Sequence, residues 1–106
     1  MKFLHTMVRV KDLNRSLEFY CDFLGLKEVK RQAYEAGRFT LIFLAAPEEE
    51  EKSIKENSPL VELTYNWDHE DYEEGRNFGH LAFEVDNIYE TCEFLHNSGD
   101  IIIRPP

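Results

Sequence analysis

Residues 5–22, HTMVRVKDLNRSLEFYCD, fall on residues 80–97, HLAFEVDNIYETCEFLHN, when the chain is shifted by 75 positions. His5 then meets His80, Val10 meets Val85, Glu18 meets Glu93 and Phe19 meets Phe94. In each copy an alternating stretch leads into a helix-capping residue, Asp12 or Asn87. An apolar stripe follows: Leu13, Leu17 and Tyr20 in the first copy, Ile88, Cys92 and Leu95 in the second. Four identities in eighteen positions are weak alone. Their agreement with the positions of strand, cap and stripe predicts a duplicated module. A glycine, Gly25 or Gly99, closes each helix.

Outward from this repeat, the pattern predicts strands at Phe3–Val10, Leu26–Gln32, Phe39–Ala45, Leu60–Trp67 and Phe78–Val85, with a sixth beginning over Ile101–Ile103. Residues 46–59, APEEEEKSIKENSP, read as a charged loop whose glutamates are solvated. Each module is then strand–helix–strand–strand–strand, with the helix stripe covering one sheet face. The fold class is α+β, tandem βαβββ modules. The first spans about residues 1–67, the linker about 68–77 and a partial second module about 78–106. By the same offset, the counterpart of Glu62 is expected beyond Pro106, so the second module reads as incomplete.

At 106 residues the chain holds one small core. Twelve basic against twenty-one acidic residues give a net charge of −9, which repels a phosphate backbone, so no nucleic-acid partner is expected. No apolar run approaches the roughly 20 residues that cross a bilayer. The opening MKFLHTMVRV lacks the apolar centre of a secretory signal. Cys21 and Cys92 sit in helical patterns without metal-type spacing, and read as reduced packing thiols of a cytoplasmic protein.

Alternate residues of a strand share a face. His5, Met7 and Arg9 therefore lie together, as do His80, Ala82 and Glu84. In VELTYNW, residues 61–67, Val61, Leu63, Tyr65 and Trp67 take one face and Glu62, Thr64 and Asn66 the other. With the apolar faces turned to the helices, both histidines and Glu62 point away from them. Two imidazoles and a carboxylate form a donor set for a divalent metal such as Ni, Zn, Cu or Fe. The competing reading of the same positions is half-exposed polar strand residues.

The stretches LHTMVRVKDLNRSLEFYCDFLGLK, VELTYNW and FGHLAFEVDNI resemble glyoxalase I, the lactoylglutathione lyases of the vicinal-oxygen-chelate superfamily. The resemblance implies metal ligands at His5, Glu62 and His80, and a fourth, a glutamate, in the last strand of a second module. It implies isomerisation of the hemithioacetal of methylglyoxal and glutathione to S-lactoylglutathione, a carbon–sulfur lyase activity that detoxifies methylglyoxal. A proton must leave a carbon beside a carbonyl, and a metal lowers the cost of the charge that develops. Glu62 is then one candidate proton shuttle, and the absent fourth-ligand glutamate is the other.

Glutathione, the co-substrate, is anionic. Arg9, Arg76 and Asn66 match the family's glutathione-binding positions, and a guanidinium can hold a carboxylate in bidentate fashion. His80 joins them at the substrate as well as at the metal. Glu84 holds the address equivalent to Arg9 and can pair with an arginine. Met7, Phe3 and Leu60 are expected to line an apolar wall, while His69 and His96 read as surface residues. The family analogy favours Ni2+ over Zn2+, and a homodimer with sites at its interface. Two alternatives stay open: another metalloenzyme of the superfamily (an epimerase, dioxygenase or thiol transferase), or an inactive binding fragment.

Overall fold

The computed structural model describes residues 1–73 and 80–106. The chain divides into two compact units, Met1–Tyr72 and Glu73–Pro106. The first holds β1 (His5–Val10), α1 (Leu13–Leu17) continuing as a π-helix (Glu18–Phe23), β2 (Lys27–Tyr34), β3 (Phe39–Ala45), α2 (Glu50–Glu56) and β4 (Leu60–Asn66). The second holds α3 (Ile88–Asn97). The architecture is mixed α+β, and the first unit follows the βαβββ order with α2 inserted before its last strand.

The sheet order is β1-β4-β3-β2, with β1 parallel to β4 and the other pairs antiparallel. One face is apolar. Val10, Leu26, Ile42, Leu44 and Leu63 form the buried core, packed by Leu13, Leu17, Tyr20 and Cys21 of the helix. The side-chain alternation of β3 and β4 makes this possible, because Ile42 and Leu63 are register partners that share a face. The helix starts where its cap dictates: Asp12 accepts the amide of Arg15 at 3.0 Å. Its π-turns carry Cys21 onto the packed face beside the expected Leu13, Leu17 and Tyr20. Gly25, at φ +83°, makes the left-handed turn into β2.

Two sequence expectations fail. Residues 46–59 are not a plain loop. Pro47–Glu49 form a 3₁₀ turn and Glu50–Glu56 a helix, closed by Asn57 in the left-handed conformation. No apolar stripe announces this helix. Good helix formers, a Glu51–Lys55 pair at 2.8 Å and the buried Ser53, whose hydroxyl donates to the Pro59 carbonyl at 2.7 Å, hold it instead. Of the four glutamates, Glu48, Glu49 and Glu51 are exposed, and Glu50 is half-buried.

The expected strands at Phe78–Val85 and Ile101–Ile103 also differ. Phe78 and Gly79 lie outside the described residues. Residues 80–85, although they alternate, and the apolar run 101–103 form no strand. A strand exists only where its amides and carbonyls find a ladder, and among the described residues nothing pairs with these segments. Phe83, Val85, Ile101 and Ile103 are accordingly exposed.

Candidate functional site

The sheet face turned away from α1 carries the polar set. Parallel register places Met7 beside Glu62, and antiparallel register places Phe43 on its other side. One residue pair upstream, His5 turns its ring toward the carboxylate, and Nε2 stands 2.7 Å from Oε2 of Glu62. Glu62 is only 8% exposed. A carboxylate that deeply placed needs compensation. The imidazole lies against Oε2, and the Thr64 hydroxyl donates to Oε1 at 3.4 Å. Phe43 sets its ring edge-on to His5, with centroids 5.8 Å apart.

The donors fit a divalent cation. Ligand atoms adjacent on an ion with bonds of about 2.1 Å lie about 3 Å apart, so a small relaxation of the 2.7 Å spacing admits one. Imidazole and carboxylate are also the donor types that such ions take. Among the described residues no three His, Cys, Asp or Glu side chains gather at one point. His80, read from the sequence as the third ligand, belongs to the second unit and is exposed, as is Glu84.

Of the other expected binding residues, Arg9 shares the face of His5 and is exposed, opposite Thr64 in the register. Asn66 lies at the end of β4, and its amide donates to the Tyr72 phenol at 3.0 Å. Arg76 lies outside the described residues. His69 is exposed and faces Asp71 at 3.4 Å, away from the His5–Glu62 pair. His96 is exposed on α3.

A cavity of about 300 Å³ opens beside His5. Phe43, Lys30 and Leu60 of the sheet border it, with Ile54 of α2 opposite. Leu60 therefore lines an apolar wall, as expected, but Met7 and Phe3 are exposed outside it. Leu4, which strict alternation with His5 would put on the other face, also borders the cavity. The strand begins only at His5, so strict alternation does not reach Leu4. Lys30, Phe43 and Ile54 were not singled out from the sequence. The alternation of β3 contained the signal for Phe43. A bulge between Glu28 and Lys30, and a helix without an apolar stripe, concealed the other two.

The comparisons with known proteins agree with this geometry. A probable lactoylglutathione lyase of Synechocystis is 42% identical over 106 residues, all of this chain and 76% of that protein. A lactoylglutathione lyase of Neisseria meningitidis is 43% identical over 104 residues, 98% of this chain and 71% of that protein. Among solved structures, the trypanothione-dependent glyoxalase I of Leishmania major superposes with a TM-score of 0.79 at 33% identity, over 93% of this chain and 67% of its own. Glyoxalase I of Zea mays gives 0.82 at 32% identity, over 99% of this chain and 35% of its own. The family model described as "Glyoxalase/Bleomycin resistance protein/Dioxygenase superfamily" matches residues 2–106. With a βαβββ sheet, a histidine–carboxylate pair on its open face and these relatives along its whole length, the chain belongs to that superfamily.

Proposed function

We propose that this chain is a lactoylglutathione lyase of the glyoxalase I type, which isomerises the methylglyoxal–glutathione hemithioacetal to S-lactoylglutathione and so detoxifies methylglyoxal. The carrying observation is the close pairing of His5 with the buried Glu62, in a chain about two-fifths identical to lactoylglutathione lyases.

His5 and Glu62 would hold a divalent metal, which supplies Lewis acidity toward the substrate oxygens when bound. Glu62 also takes the proton from one carbon and returns it to the adjacent one, so atoms and electrons balance without an external oxidant. Its burial keeps bulk water from competing for that proton. The Thr64 hydroxyl, on Oε1, holds the carboxylate in one orientation. Arg9 and Asn66 bind the glutathione carboxylates, with Arg76 and His80 as further substrate contacts.

The repeat relating His80 to His5 supports His80 as the third metal ligand, and residues 78–106 as part of a second module after a linker at about 68–77. A homodimer with sites at its interface, a preference for Ni2+ over Zn2+ and a cytoplasmic location complete the reading. Among the described residues no helix is long and apolar enough to cross a membrane.

The test is thioester formation from methylglyoxal and glutathione by protein loaded in turn with Ni2+, Co2+ and Zn2+. Product with at least one ion, lost in Glu62→Gln, supports the reading; no product with any of them overturns it.

A further inference from the structure

The cavity beside His5 is far larger than the methyl group of methylglyoxal. At about 30 Å³ per water molecule, its roughly 300 Å³ would hold about ten. Its walls combine apolar Leu4, Val29, Phe43, Ile54 and Leu60 with polar Ser53 and Asn57, and Lys30 stands among them. The Lys30 ammonium lies 5.6 Å from the centre of the Phe43 ring, the same ring that sits edge-on to His5. Among the described residues this ammonium has no carboxylate partner, whereas neighbouring Arg31 pairs with Glu28. A cation beside an apolar wall keeps only part of its hydration, and an anion arriving there gains from pairing with it.

If His5 and Glu62 hold the reacting carbons, the substituent on those carbons enters the space that His5 borders. We propose that Lys30 is a specificity-determining residue, selecting 2-oxoaldehydes whose substituent spans the apolar wall and ends in an anionic oxygen group. This rests on the function proposed above and narrows its substrate class. The apolar lining takes the body of the substituent, and the ammonium takes its terminus. Methylglyoxal fills only the inner end of the space.

The experiment compares kcat/KM for the glutathione hemithioacetals of 4-carboxyphenylglyoxal and phenylglyoxal on the metal-loaded protein, in the wild type and in Lys30→Met, Lys30→Glu, Lys30→Arg and Lys55→Met. Lys30 is exposed on a strand, so these changes leave the fold intact. The carboxylate-to-neutral ratio is expected to fall about fivefold in Lys30→Met, the effect of one solvent-accessible charge pair. It falls further in Lys30→Glu and is retained in Lys30→Arg. Lys55→Met, which removes the same charge from outside the cavity, keeps the wild-type ratio. A ratio indifferent to Lys30, or moved equally by Lys55→Met, overturns the proposal.

Calorimetric binding of S-(4-carboxybenzyl)glutathione against S-benzylglutathione separates the two readings. Absence of turnover with every hemithioacetal sinks the proposed function alone, while the binding ratio still decides the role of Lys30. Binding of neither compound, or equal ratios in the wild type and Lys30→Met, sinks the present inference.

Discussion

His5 Nε2 and Glu62 Oε2 approach to 2.7 Å across the parallel pairing of β1 with β4, which joins the first strand of the unit to its last. Neither side chain is long. The approach therefore depends on the register that sets His5 opposite Leu60 and Met7 opposite Glu62.

Removing either donor should separate metal binding from folding. His5→Ala and Glu62→Gln are each expected to weaken Ni2+ or Zn2+ binding at least about 100-fold in a calorimetric titration, with an unchanged far-ultraviolet circular dichroism spectrum. Affinity in the parent protein should also weaken as pH falls, because protons compete for the same donors. Undiminished affinity in both variants would remove these residues from the site.

The apolar face of the sheet governs stability. Leu63 is fully buried in the cluster with Ile42 and Leu44. Leu63→Ala should cost about 2–5 kcal/mol in urea unfolding, combining lost transfer energy with a cavity. A cost below that range would mean that the neighbouring side chains collapse into the space.

Arg38 holds Asp68 with two hydrogen bonds, from Nε and Nη2, each 3.0 Å. These bonds first, and the guanidinium charge second, hold the Asp68 carboxyl below its ordinary value of 3.8. A group depressed in the folded state stabilises it above that ordinary value, and the contribution disappears as pH falls through the lower, folded-state value. By NMR titration Asp68 should titrate below 3.8 in the parent and return toward it in Arg38→Met. Because the pair is exposed, salt should shrink the difference.

Ser53 should matter more to α2 than the glutamates around it. Ser53→Ala strands the Pro59 carbonyl that its hydroxyl serves, and should cost about 1 kcal/mol. Glu48→Gln and Glu49→Gln, both at exposed positions, should stay within about 0.5 kcal/mol. Equal effects in thermal unfolding would contradict this ranking.

Sequence periodicity identified β1, β3, β4 and the first helix because each places its apolar residues on one face, and it put Glu62 and Thr64 on the face opposite Leu63. Periodicity could not find α2, whose stability comes from propensity, capping and one buried hydroxyl. Nor could it distinguish an alternating segment with a ladder from one without, as at residues 80–85. The meeting of His5 with Glu62 was legible only as two addresses; strand order turned them into neighbours. Lys30 escaped because its facing depends on an irregularity in β2, and no single side chain reveals that.

That irregularity reaches further than its size suggests. Between Glu28, opposite Leu44, and Lys30, opposite Phe43, one extra residue reverses the parity of the strand. Two residues that even spacing would put on the same side are sent to opposite sides, the glutamate toward the helix and the lysine toward the cavity. The bulge therefore decides which charge the pocket meets: in a regular strand Glu28 and Lys30 would share a face, and the cavity would lose its ammonium or gain a carboxylate.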